Sequence, residues 1–440
     1  MKLLIGLVFL FLSGQFVAAQ TTDVQAMLDQ GQFDEAEAQL QARLAEAPDD
    51  HDARLALGVT TFLHGIEEFS QTTYRFGVRD VTRDFAMMGP GFSLPIRPNP
   101  DPEPVAADDV VAMFERFAEA LAEVDAILEP IGDQPAKMTL RLGTVRMDLN
   151  ADGEAADDEN LWRFVEAILD PPQRDPWMEP RGDDFEGIEF EEDGPNFVDP
   201  EAEGFVLGLD TADAYWLRGY CNVMGGVADV ILAYDGTELF NRTGHLFFEN
   251  PTTPYPWLVK TDAGNNGWFN EFDVLDFVAL FHLLNQPLRD ADRMAEAHAH
   301  FKQVVAISRL NWDAILAETD DFYEWVPSPD QTGVLPMRLT AEQIDSWMEF
   351  LDEADRILDG ETLIPFWRGG PDGLGSAHPT LGVNLKRVFT EPTPFDLMLW
   401  FQGTAAQPYL EEGPRTQADF WQELNREFGR NFLGFSFWIN

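Results

Sequence analysis

Residues 211–234 read TADAYWLRGYCNVMGGVADVILAY and predict the helix around which the fold is built. Apolar side chains recur at the spacing of one helical face, and Asp210 stands just before them as a residue that can cap the first turn. Asp213 lies within that turn, where the helix dipole favours a carboxylate. The glycines and alanines of the stretch present little bulk to a neighbour. We therefore expect a central helix with other helices packed close against it.

The same helical spacing recurs on both sides of this stretch. Residues 106–128 carry an apolar stripe, and the downstream ranges that predict helices are 271–284, 287–309, 340–359 and 416–428. The sequence has no alternating strand pattern of useful length, and residues 360–395 and 403–415 read as loops. The predicted fold class is therefore mostly α, a multi-helix protein with long ordered loops.

Residues 1–19 predict a secretory signal peptide. Lys2 gives a short basic start, Leu3–Leu12 is apolar, and small residues precede Gln20. The apolar run is shorter than the roughly 20 residues that span a bilayer, and an uncleaved anchor helix is the alternative. We therefore expect an exported chain, periplasmic or extracellular, that is soluble and not inserted in a membrane after signal cleavage.

The charge of the chain is strongly negative. Asp and Glu number 78 against 29 Lys and Arg, for a formal net charge of −49. A polyanion repels nucleic acid and anionic membrane surfaces and attracts cations, so we expect no nucleic-acid partner. Most of the acidic residues are interpreted as a solvated surface suited to a salty exterior. Cys221 is the only cysteine, which excludes an internal disulfide, and its apolar neighbours predict a buried thiol.

Residues 148–159 read DLNADGEAADDE, which fills every fixed position of the pattern D-x-[DN]-x-[DN]-G-x5-E. This stretch resembles the calcium loop of EF-hands. The resemblance implies a calcium ion held by side-chain oxygens of Asp148, Asn150 and Asp152, the backbone carbonyl of Glu154 and both carboxylate oxygens of Glu159. Gly153 would make the sharp turn of the loop, and a water would serve at Ala156. Calcium is a hard cation that takes six to eight oxygen ligands, which suits this set.

The loop departs from paired, switching EF-hands. Ala155 stands where a larger aliphatic residue usually pairs two loops, and the sequence holds no second loop of this pattern. Gly143 and the β-branched residues around it weaken a leading helix, so an extended segment is the alternative. We therefore expect a structural calcium ion that joins residues 106–147 to the helix after Glu159. An acidic surface turn without calcium is the other interpretation.

The N-terminal region carries a second resemblance. Helical periodicity over residues 23–65 includes Gly31, Phe33, Ala36, Leu40 and Pro48, followed about one repeat later by Leu57, Gly58 and Gly65. These positions resemble the second helix of one tetratricopeptide (TPR) repeat and the first helix of the next. The resemblance implies a partner-binding groove. The alternative is a helical hairpin that packs on the rest of the protein, because isolated repeats cannot bury their apolar faces alone.

These features divide the chain into regions. In order they are a signal peptide at 1–19, a TPR-like helical region at 20–88, a proline-rich connector at 89–104, a helical region with the calcium loop at 105–170, an acidic loop at 171–206, and an α-helical region with aromatic-rich loops at 207–440.

Two functions fit this organisation. The first is an exported, soluble, calcium-binding helical protein that binds a protein partner or ligand through the TPR-like region. The alternative is an exported hydrolase, acting on carbohydrate, with paired carboxylates in an aromatic-lined cleft formed by the loops after residue 171. His298 and His300 point to different helix faces, and the other histidines show no metal-ligand spacing.

Overall fold

A computed structural model describes residues 24–79, 98–162, 204–259, 271–334, 339–370 and 377–428, together with Phe432 and Ser436. The predicted signal peptide lies outside these residues, as do the acidic loop up to residue 203 and the helix expected beyond Trp162. Across the described ranges, every helix is too short or too polar to span a bilayer.

The described residues confirm the mostly α class. The helices are α1 (Phe33–Glu46), α2 (His51–Arg75), α3 (Ala107–Leu128), α4 (Thr211–Leu232), α5 (Thr237–Phe247), α6 (Glu271–Leu283), α7 (Ala291–Ala317), α8 (Ala341–Leu358), α9 (Leu385–Thr390), α10 (Leu397–Gln402) and α11 (Ala418–Glu427). The helix expected at 287–309 is α7, which begins later and continues further than expected. It begins later because Asp290 caps it by accepting a hydrogen bond from the Asp292 amide.

Short antiparallel strands correct the expectation of loops alone. They are β1 (Lys137–Arg141) with β2 (Val206–Asp210), β3 (Asn285–Gln286) with β6 (Phe395–Asp396), and β5 (Leu381–Val383) between β4 (Ile364–Pro365) and β7 (Leu410–Glu412). Residues 360–395 and 403–415, expected to be loops, therefore contain strands as well as α9. Most of these strands are too short to show an alternating pattern, because a period of two needs several residues to be recognised.

Helix α4 lies at the centre, as its sequence predicts. The Asp210 carboxylate accepts a hydrogen bond from the Ala212 amide, and Asp213 accepts one from the Asp210 amide, which together cap the helix. A Cβ atom added at Gly226 would lie 3.1 Å from the Phe301 ring of α7. The small side chains of α4 therefore allow the close approach of α7. The Cys221 thiol on α4 is buried, as expected, and burial raises its pKa.

Helices α1 and α2 form an antiparallel hairpin that packs on α3. Phe33, Leu40 and Leu55 are buried in the same core as Leu128 at the end of α3. The apolar face of the hairpin is therefore covered by the rest of the protein. This packing matches the alternative to an open repeat groove.

Replacing Gly58 by alanine is expected to destabilise this packing by up to about 2 kcal/mol. A Cβ atom there would lie 2.3 Å from Leu128 Cδ2, and overpacking of about 1–3 kcal/mol exceeds the helix-propensity gain of about 1 kcal/mol. Gly65→Ala on the same helix is the matched control, since its Cβ atom would meet only the Ala120 methyl at 3.3 Å. Urea unfolding measures both variants. Equal stabilities for the two would contradict the close contact.

Candidate functional site

The two ends of the 148–159 loop are held together as a short antiparallel pair. The Met147 amide donates to the Glu159 carbonyl at 2.8 Å, and the Leu161 amide donates to the Val145 carbonyl at 2.9 Å. Strand β1 and a single 3-10 turn lead into this pair. The segment before the loop is therefore extended, the alternative favoured by Gly143 and its β-branched neighbours, and it is not the leading helix of an EF-hand.

Inside the loop, side-chain oxygens of the predicted ligands accept hydrogen bonds from the main chain. The Asp148 carboxylate accepts from the Asp152 amide at 3.2 Å and from the Gly153 amide at 2.9 Å. Asn150 Oδ1 accepts from the Asp152 amide, and Asp152 Oδ1 accepts from the Glu154 amide, both at 2.9 Å. These bonds wind the chain into one tight turn around the polar groups.

Gly153 makes the sharp turn. Its φ angle is +89°, a left-handed conformation that glycine adopts without steric cost. An added Cβ atom would meet no other atom within 4 Å. The glycine is therefore required by backbone conformation rather than by crowding.

Glu159 is the buried member of the predicted ligand set. Glu159 is 1% exposed, and its Oε2 accepts a hydrogen bond from the Ala156 amide at 3.0 Å. Asp152 and Glu154 lie at the exposed tip of the loop. An ion pair of 2.6 Å between Arg146 and Asp157 braces the loop from outside. The structure thus brings all five predicted residues into one turn, with the closing carboxylate at its base.

The loop docks on the N-terminal hairpin. The Asp148 amide donates to Glu67 Oε1 of α2 at 2.5 Å, and the Gln71 side chain donates to the Asp148 carbonyl at 2.8 Å. Burial, foremost, raises the pKa of the Glu67 carboxyl to about 7, and the nearby Asp148 carboxylate adds to the rise. The expected neighbours of the loop were residues 106–147 and a following helix. Helix α2 is a further neighbour that the sequence did not indicate.

Ala155 packs against the turn that precedes α1. The turn before α1 places Gly31 against the loop, and a Cβ atom added at Gly31 would lie 2.5 Å from the Ala155 Cβ atom. The Arg146 amide also donates to the Leu28 carbonyl in the same region, at 3.0 Å. In paired EF-hands, the residue at the position of Ala155 contacts a second loop. In this chain Ala155 contacts the α1–α2 hairpin region instead.

A different set of side chains has the tightest grouping of metal-ligating atoms. Among the residues that the structure describes, one group of three His, Cys, Asp or Glu side chains places its ligand atoms within 4.8 Å of one another, and it consists of Asp34, Glu37 and His64. The carboxylates of the 148–159 loop are not grouped so closely. Sequence spacing missed this group because its members come from two helices. The sequence does carry one signal for it. Phe33, which precedes Asp34, and His64 are equally distant along the chain from the centre of the turn at 48–49, so an antiparallel hairpin brings them opposite each other.

Carboxylates, of which Glu324 is buried and the others are half-buried, also gather where α4 begins and α7 ends. Burial raises the pKa of the Asp213 carboxyl well above its usual range, and raises that of Glu318 to about 8, with Asp210 and Glu324 adding repulsion. Two of these carboxylates accept hydrogen bonds from nearby residues: Glu318 accepts from the Gln331 side chain at 2.9 Å, and Glu324 accepts from the Phe322 amide at 2.8 Å. The segment after α7 is joined to β2 by the Gly208 amide, which donates to the Tyr323 carbonyl at 3.0 Å.

Glu318→Gln is expected to make the free energy of unfolding fall less steeply as pH rises. The pKa of Glu318 is raised in the folded protein from 4.5 to about 8, so the folded state keeps a proton that the unfolded chain has released, and the free energy of unfolding falls across that window. Solvent screening limits the effect to the order of 1 kcal/mol. Urea unfolding in EDTA at about pH 5 and about pH 8 measures it. Glu349→Gln, at an exposed position on α8, is the control; an unchanged pH slope in Glu318→Gln would contradict the assignment.

Comparison with known proteins gives no relative to this chain. No protein-family model, no curated protein and no solved structure matches it.

Proposed function

We propose that this chain is an exported, soluble, calcium-binding helical protein, with a structural calcium ion in the 148–159 loop and a role in binding a partner. The observation that carries the proposal is the loop itself. The side-chain oxygens of Asp148, Asn150 and Asp152 accept hydrogen bonds from the backbone amides of one turn, which includes Gly153. The buried Glu159 carboxylate lies at the end of this loop.

The chemistry of the donor set supports calcium over softer ions. Carboxylate, amide and carbonyl oxygens are hard ligands, and residues 148–159 include no histidine, cysteine or methionine to supply a softer nitrogen or sulfur ligand. The net charge of −49 raises the local concentration of cations around the protein. Calcium is abundant outside cells, where modules of modest affinity are sufficient.

The contacts of the loop support a structural role rather than a switch. Asp148 bonds to Glu67 and Gln71 of α2, and Ala155 rests on Gly31 at the entrance to α1. A bound ion would hold the loop in the shape that makes these contacts. In this proposal calcium fastens the TPR-like hairpin to the strand pair of β1.

Exposed apolar side chains support the partner-binding part of the proposal. Leu275 and Val278 on α6 are 60% and 57% exposed, and Phe401 on the neighbouring α10 is 71% exposed. The two helices are joined through the β3–β6 pair and by a hydrogen bond from the Leu397 amide to the Leu284 carbonyl at 2.8 Å. Exposed apolar groups on neighbouring elements are typical of protein-binding surfaces.

Calorimetry on EDTA-stripped protein tests the calcium site. We expect one equivalent of calcium to bind with measurable heat, and Asp152→Ala to abolish it. Asp158→Ala is the matched control, because it removes the same charge from the same loop but lies outside the ligand set. Absence of heat with the unaltered protein, together with no thermal shift, would end the proposal.

The hydrolase is the second candidate function, supported by the carboxylates beside α4. A glutamic acid such as Glu318, protonated near neutral pH, is suited to general-acid chemistry. The Trp216 ring on α4 and the Trp325 ring, next in the chain to Glu324, pack on each other with centroids 5.7 Å apart. Screening against oligosaccharides tests it. Hydrolysis that disappears in Glu318→Gln, but not in Glu349→Gln, would favour this function.

A further inference from the structure

Three side chains on one face of the α1–α2 hairpin converge at a point separate from the calcium loop. Asp34 and Glu37 are one turn apart on α1, so they share a face of that helix. His64 on α2 lies opposite them across the hairpin. Ligand atoms of all three lie within 4.8 Å of one another.

The geometry of this group is held by packing. The His64 imidazole stacks on the Phe33 ring, with centroids 5.5 Å apart and planes 10° from parallel. Phe33 is itself 2% exposed and anchored in the core. His64 Nδ1 lies 3.2 Å from Glu37 Oε1. The orientation of the imidazole is therefore set by a buried neighbour and does not depend on a flexible surface contact.

We propose that Asp34, Glu37 and His64 form a binding site for a divalent transition metal, with zinc as the best-matched ion. One nitrogen and two carboxylates are a donor set that borderline ions accept, whereas calcium takes oxygen ligands. Ligands about 2.1 Å from a tetrahedral zinc ion lie about 3.4 Å apart. The 3.2 Å between His64 and Glu37 is already close to that spacing.

The site is open on one side. The side chains of Glu37 and His64 are 18% and 22% exposed, and Asp34 is exposed at the start of α1. An ion can therefore enter from solvent, and three protein ligands leave a fourth position for water or for a group from a partner. An ion pair between Glu37 and His64 alone would not need Asp34, and the presence of this second carboxylate within reach favours a metal.

Zinc titration of EDTA-stripped, tag-free protein tests the site, with cobalt as a spectroscopic probe. We expect one equivalent of zinc to bind, and cobalt to give visible absorption bands that zinc abolishes. His64→Gln should weaken zinc binding by about 100-fold or more, since even outer-shell changes cost about 10–100-fold. His282→Gln, which removes an exposed imidazole from α6, should leave binding unchanged.

Two further variants keep the test decisive. Asp34→Asn changes an exposed ligand without touching the core, so it reports on the site if His64→Gln alters the fold. Asp152→Ala, in the calcium loop, should leave zinc affinity unchanged, which separates this site from the proposed calcium site. Zinc affinities in His64→Gln and Asp34→Asn equal to that of the unaltered protein, or no zinc binding by the unaltered protein, would overturn the proposal.

Discussion

Calcium is expected to raise the free energy of unfolding of the EDTA-stripped protein by about 2.7 kcal/mol when free calcium is 100 times its Kd. The reason is linkage: the ligands between Asp148 and Glu159 are brought together only in the folded loop, so the ion binds the folded state alone. Urea unfolding with and without calcium measures the increment.

Asp148→Ala should abolish that increment. The Asp148 carboxylate also accepts the Asp152 and Gly153 amides, so the variant will be less stable even in EDTA. The comparison is therefore made within each variant, as the difference between calcium and EDTA. Asp158→Ala should keep the increment. A calcium-dependent gain that survives in Asp148→Ala would place the ion elsewhere.

Gly31→Ala is expected to destabilise the protein by about 2–5 kcal/mol. Its φ angle of +67° lies in the left-handed region, which costs a residue with a Cβ atom about 1–2 kcal/mol. The new Cβ atom would also stand 2.5 Å from the Ala155 Cβ atom, and overpacking adds about 1–3 kcal/mol. Because the clash pushes on the calcium loop, the calcium increment should fall as well.

A control and a rescue separate the two costs. Gly132 has a φ angle of +51°, a ψ angle of −136° and no atom within 4 Å of an added Cβ atom, so Gly132→Ala should show a cost of backbone conformation without overpacking. Ala155→Gly in the Gly31→Ala background should recover the overpacking part, and the double-mutant cycle gives the coupling between the two positions. Additive effects at positions 31 and 155 would mean that the loop does not rest on the hairpin.

Together these contacts define how the loop is used in this chain. The sequence holds no second loop of this pattern, and the amide and carbonyl of Asp148 are bound by Glu67 and Gln71 of α2. Helix α2 also carries His64, one turn before Glu67. The N-terminal hairpin therefore lies against both candidate cation sites, which is consistent with stabilisation of an acidic protein by cations.

Helices could be predicted from the sequence because their signals are local. The 3.6-residue spacing and the capping carboxylates Asp210 and Asp213 lie within the segment that they organise, and α4 begins where they indicate. The order of oxygen ligands in the 148–159 loop is local in the same sense, since each bond inside it spans only a few residues. Burial of Cys221 followed from its place on the apolar helix.

Tertiary structure alone decided what depends on residues far apart in the chain. Strand β1 exists because it pairs with β2, and Gly31 has no room for a Cβ atom because Ala155 lies against it. Asp34, Glu37 and His64 meet only through the hairpin, and the pKa of Glu318 is raised only by burial among other carboxylates. Periodicity reports which face of an element is apolar. It carries no information about which other element covers that face, and so the contacts that build both candidate sites could be seen only in the folded chain.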